Sequence, residues 1–156
     1  REALRRVKRS GVPVCADSRY RLTDYTGLTM CKPNEVELEA ASGMLLKAPG
    51  GLERAARLML RRLGCDQLLV TRGRNGMSLF RKGQPALHIP THGSVDAVDV
   101  TGAGDTVAAS YCAALAAGAA PEDAACIANV AGSIVVHKQG TATVSRDELR
   151  QQLLRT

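Results

Sequence analysis

The sequence has 156 residues, 45% of them hydrophobic and 23% charged. That suits one compact domain, excludes a disordered chain, and contains no apolar run near the roughly eighteen residues of a membrane-spanning helix. Lys and Arg outnumber Asp and Glu by 21 to 15, which favours anionic partners, but three Tyr, one Phe and no Trp leave little on which to stack bases, so nucleic acid is the weaker guess among them.

Residues 1–10 read as the end of a basic helix, with Leu4 and Val7 at helical spacing and Gly11 as its stop. Its position suggests a strand before it. Val12–Ala16 and Leu28–Cys31 read as buried parallel strands with polar residues at their C-terminal ends. Asn34 suits the cap of a helix over Glu35–Ser42, stopped by Gly43. Leu52–Leu63 is amphipathic: Leu52, Ala55, Ala56, Met59, Leu60 and Leu63 make one stripe, and Arg54, Arg57, Arg61 and Arg62 a solvated face. Gln67–Thr71 is a strand, and Met77–Arg81 with Leu87–Ile89 a hairpin. Residues 91–99 form a loop, and 105–118 and 121–137 two helices rich in small residues. Ser145 and Glu148 form a capping box for a last helix. The alternation predicts an α/β layered sandwich on a mainly parallel sheet, a single domain over residues 1–156.

Five cysteines at 15, 31, 65, 112 and 126, with no CxxC, read as reduced, buried thiols of a cytoplasmic protein. His88 and His92 are separated by Pro90, against one helical face, so structural roles outweigh a metal role. No signal peptide is visible; the chain begins at Arg1, which leaves a removed front end open.

The densest chemical signal is Asp99-Val100-Thr101-Gly102-Ala103-Gly104-Asp105-Thr106. Small residues before a long helix let backbone N–H groups approach an oxyanion, and the helix dipole points the same way. Asp105 has two compatible readings. It can cap a helix beginning at Thr106, or accept the proton of an attacking hydroxyl beside an anion hole. A Walker A loop is excluded by the missing Gly-Lys-Ser/Thr, and a dinucleotide fingerprint by Val107 at the third glycine.

Asp99–Asp105 resembles the second signature of the ribokinase-like carbohydrate kinases, the phosphofructokinase B type, with Ser110 departing from the usual Ala or Gly of the following helix. The segments Lys32–Glu37 and Val70–Gly76, and Asn129 with the Val136–Gly140 stretch, agree in order and spacing. Read from the residues alone, these are a cap, a tight turn, and helix packing with a helix stop. The resemblance implies a ribokinase-like C-terminal half, without the front half that carries the lid and most sugar contacts. It implies an anion hole at Gly102, Ala103 and Gly104, with Asp105 as base. Mg²⁺ would be held through waters near Asn34 and Glu37, and ATP along Thr71, Gly73 and Gly76 with its adenine near Asn129 and Gly140. A monovalent cation such as K⁺ would lie near Asp99 and Thr101, held mostly by carbonyls. Asp17 would face a sugar phosphate, with Arg19 or Arg21 pairing its charge.

Gly76–Leu79, Leu87–Thr91, Asp99–Val107 and Gly140–Ser145 are similar to the heptose 7-phosphate kinase branch. That implies transfer to an anomeric hydroxyl in ADP-heptose synthesis, and a homodimer when the lid is present. The rival readings are a nucleotide-binding module without activity, a kinase of the same family for another sugar, and a basic nucleic-acid-binding domain.

Overall fold

The computed structural model describes residues 7, 10–93 and 97–155. The basic helix expected over residues 1–10 lies outside them apart from residues 7 and 10. The backbone forms two compact units, residues 1–72 with 78–88 and residues 73–77 with 89–156.

One sheet runs in chain order: β1 (Cys15–Ala16), β2 (Met30–Cys31), β3 (Gln67–Thr71), β4 (Met77–Arg81) and β5 (Leu87–Ile89). β1 and β2 are parallel, with Cys15 opposite Met30, and so are β2 and β3, with Met30 opposite Gln67. Residues 72–76 and 82–86 are too short for parallel crossovers, so β4 and β5 turn back as hairpin strands. The last three strands have the bounds the sequence predicts. The first two are shorter than their apolar runs. The Val14 amide donates to the Thr29 hydroxyl at 3.0 Å, and the Val14 carbonyl accepts from the amides of both Thr29 and Met30. A side chain thereby replaces part of the ladder.

In the first unit, α1 (Glu35–Ser42) and α2 (Gly51–Leu63) pack on each other and on β3. The predicted stripe of α2 is buried throughout, with Ala55, Ala56 and Met59 wholly removed from solvent. Arg54, Arg57 and Arg62 each donate from the helix surface to a backbone carbonyl, at Pro49, Gln84 and Ala41. Leu28, Leu38, Leu68, Val70 and Phe80 complete this core.

The second unit is built on α3 (Ala103–Ala116) and α4 (Pro121–Val136), with α5 (Arg146–Leu153) against α4. Val107, Tyr111 and Ala114 are the buried face of α3. Gly132 lets α4 approach closely: a Cβ there would lie 2.8 Å from a Val107 methyl. The expected capping box of α5 is present, Ser145 with Glu148. All five cysteines are free. Cys31 and Cys65 are buried, but Cys126 is exposed on α4, against the expectation of a buried thiol. It occupies a turn of α4 that lies off the buried stripe formed by Ala124, Ala125 and Ala128. Among the described residues no helix is long and apolar enough to cross a membrane.

Candidate functional site

α3 starts three residues earlier than a cap at Asp105 requires. Its N-cap is Gly102, in the left-handed region at φ 78°, and no side chain caps the helix. Asp105 is therefore the third helical residue and not the cap. Its carboxylate lies in the first turn, where the helix dipole favours an acid without any cap bond. It is exposed and has no hydrogen bond or ion pair with another described residue. The amide of Ala103 donates to the Val100 carbonyl at 3.2 Å, so it is turned away from any anion. The amides of Gly102 and Gly104 find no acceptor among the described residues, the normal condition of a helix start. The cradle thus has two open donors where the sequence reading expected three.

The turn is braced from below. Asp99 accepts from the Thr101 amide at 2.9 Å through Oδ1 and from the Gly140 amide at 3.0 Å through Oδ2. The bonds from Thr101, with that from Gly140, hold its carboxyl below the usual range. Each carboxylate oxygen is thus engaged by one amide. The amides of Val98 and Asp99 both donate to the Val136 carbonyl. Lys138 bridges the Thr143 carbonyl at 2.8 Å and Glu148 at 2.6 Å, fixing the segment around Gly140 to the start of α5.

In the same unit, the turn at Gly73–Asn75 is tied by the Gly76 amide to the Gly73 carbonyl and by the Thr91 hydroxyl to the Arg74 carbonyl at 2.7 Å. Gly76 has a packing reason of its own, since a Cβ would meet the Ile89 carbonyl oxygen at 2.0 Å. Asn129 is buried and its amide donates to the Pro90 carbonyl at 2.7 Å, which pins the loop after β5 onto α4.

In the first unit the remaining candidates gather at the C-terminal ends of β1, β2 and β3, the edge where open α/β sheets receive ligands. Asn34 bridges Thr71 in parallel register, and the Thr71 amide donates to the Pro33 carbonyl. Asn34 Oδ1 accepts from the Glu37 amide at 2.8 Å, and Glu37 Oε2 accepts from the Asn34 amide at 2.9 Å. This is a full capping box, so both side chains have a structural use. Glu37 Oε1 is left without a described partner. One open carboxylate oxygen fits a hydrated Mg²⁺ held through water. A cage of protein ligands does not fit, because no group of three His, Cys, Asp or Glu suited to a metal occurs among the described residues.

Sequence reasoning missed Lys32. Its side chain is 4% exposed and its ammonium lies 2.8 Å from Asp17, so the carboxylate expected to face a sugar phosphate is already neutralised. A buried lysine needs such a partner. The signal was its place between Cys31 and Pro33 at the end of a buried strand. Arg21 pairs with Asp24 at 2.6 Å, both side chains being well exposed. His88 lies on β5, apart from any metal-binding group among the described residues.

The model of the pfkB family carbohydrate kinases matches residues 2–148. The chain belongs to this family. It is similar to the bifunctional protein HldE of Methylococcus capsulatus, 46% identical over 149 residues, which cover 95% of this chain and 31% of that protein. It therefore spans about a third of the length of such relatives. The ribokinase of Arabidopsis thaliana, solved with ribose and ATP, is 29% identical with a TM-score of 0.85 over 96% of this chain and 50% of that one. Phosphofructokinase-2 of Escherichia coli in complex with potassium has a TM-score of 0.84 over 99% of this chain and 50% of that one, at 21% identity, a likeness of fold alone. The fold of this pfkB-family chain is accordingly ribokinase-like.

Proposed function

We propose that this chain forms the ATP-handling half of a sugar kinase that acts on the anomeric hydroxyl of a heptose 7-phosphate in ADP-heptose synthesis. The observation that carries the reading is the start of α3, where the Gly102 and Gly104 amides are open and the Asp105 carboxylate is unpaired. The pfkB membership and the likeness to HldE support it. So do the heptose-branch motifs at residues 76–79, 87–91, 99–107 and 140–145.

The hydroxyl oxygen attacks the γ-phosphorus of ATP, the bond to the ADP oxygen breaks, and the hydroxyl proton passes to Asp105 Oδ. Gly102 and Gly104 hold the equatorial oxygens of the group in flight. A base of this kind contributes about 10²–10⁴ in rate, and the amides act on charge that develops only in the transition state. Thr71, Gly73 and Gly76 line the nucleotide, and Asn129 and Gly140 flank its adenine. Glu37 and Asn34 would hold waters of Mg²⁺, which when bound would neutralise phosphate charge. A monovalent cation at the carbonyls near Asp99 and Thr101 would stiffen the turn. The surroundings are cytoplasmic, and a homodimer is the expected assembly of the longer form.

Asp105→Asn in the protein as its gene encodes it tests the reading. The N-cap at Gly102 is untouched, so folding and Mg·ATP affinity hold while kcat falls at least about a hundredfold, the size of the base contribution. Unchanged turnover removes Asp105 as base. The second reading is a nucleotide-binding module without turnover, in which Asn34 and Glu37 serve only as the capping box of α1. Calorimetry of the 156-residue chain with Mg·ATP then gives heat without product, and no heat at millimolar nucleotide ends that reading.

A further inference from the structure

Behind the C-terminal end of β3 lies a line of polar side chains that the proposed chemistry leaves unused. Arg72 Nε donates to Glu35 Oε1 at 3.1 Å, and its Nη1 to the Ser78 hydroxyl at 3.5 Å. Ser78 Oγ lies 2.8 Å from His88 Nδ1. His88 Nε2 lies 3.4 Å from Glu53 Oε1. Phe80 meets the imidazole edge-on at 6.3 Å and 82°.

The direction of the Arg72 bonds follows from elementary chemistry. A guanidinium only donates. Ser78 is fully buried and has one proton, and no described residue but Arg72 and His88 reaches its oxygen. It accepts from Arg72 and shares a second bond with His88 Nδ1, while the other ring nitrogen faces Glu53.

Arg72 stands where this line meets the site. Glu35 is the first residue of α1, between Asn34 and the box partner Glu37. Arg72 follows Thr71, which bridges Asn34 through the backbone. The guanidinium therefore ties the capped start of α1 to the end of β3 from the side-chain face, as the bridge does from the backbone.

We propose that Arg72, held in place by Ser78, His88 and Glu53, is a positioning residue that sets Glu37 Oε1 for the hydrated Mg²⁺ of the nucleotide complex. This rests on the sugar-kinase reading given above. It assigns a use to Arg72, Ser78, His88 and Glu53 together. Each would otherwise be a separate surface or core residue.

The test compares Arg72→Met and Ser78→Ala with the unaltered protein, as its gene encodes it. The Arg72 and Glu35 side chains are 24% and 39% exposed, so loss of the pair leaves a solvated carboxylate and a folded protein. The readout is calorimetry of ATP with and without Mg²⁺. The outer partners of metal sites are worth about ten- to a hundredfold in affinity. Arg72→Met is expected to weaken the Mg²⁺-dependent part of ATP binding by that factor and leave metal-free ATP binding unchanged. Ser78→Ala is expected to change it in the same direction. Mg²⁺-dependent binding in either variant equal to that of the unaltered protein overturns the proposal. If the unaltered protein binds no Mg·ATP at all, the kinase reading itself fails and the proposal falls with it.

Discussion

Two glycines in one short turn carry different burdens. Gly73 and Gly76 both have positive φ, at 54° and 77°, but a Cβ at Gly73 meets nothing within 4 Å. Gly73→Ala should cost only the left-handed strain of an L residue, about 1–2 kcal/mol. Gly76→Ala adds a collision with the backbone at Ile89, so its cost should exceed about 3 kcal/mol. Denaturant midpoints of the two variants check the order. Lys138 lowers the carboxyl of Glu148 from 4.5 to about 2, helped by bonds from Ser145. A depressed folded value means stability that is present above 4.5 and is lost as pH falls toward 2. Glu148→Gln should therefore flatten the pH dependence of unfolding across that window, read as the urea midpoint at each pH. The ion pair behind it joins Lys138 to a residue 10 positions on, beyond the range of local pattern. The same holds for Lys32 with Asp17. Residue type showed which side chains were chemically able, but long-range partners decided which were already engaged.

At the scale of elements, sequence legibility followed the strength of local physics. β3, β4 and β5 have the bounds read from apolar runs between turn residues, because burial and turn chemistry agree there. α1 and α5 begin where their caps stand, at Asn34 and Ser145. α3 did not begin at its best capping residue. Asp105 is acceptable both as a cap and in the first turn, and the left-handed Gly102 settled the matter by closing the turn first. β1 and β2 were overextended because Thr29, read as strand, uses its hydroxyl on the neighbouring backbone. The caps give a direct test. Asn34→Ala and Ser145→Ala should each cost about 0.5–2 kcal/mol, with Asn34→Asp near neutral, measured by thermal or urea unfolding.

For the whole molecule, net charge pointed to an anionic partner without choosing one. The formal charge is +6, yet three of the four arginines of α2 return bonds to carbonyls at Pro49, Gln84 and Ala41. A nucleic-acid surface would present such cations free. Binding of DNA or RNA should therefore lack the steep salt slope of phosphate neutralisation, and filter binding across salt concentrations reads that slope directly. The absent side chain of Gly132 has a consequence at a distance. Val107 follows Asp105 by two residues and rests where a methyl on Gly132 would stand, 2.8 Å away. A mutational survey scored for turnover should thus find position 132 as intolerant as the turn it supports: even one added carbon would push on Val107 and tilt the opening of α3, moving Asp105, the proton acceptor of the proposed reaction, without touching substrate.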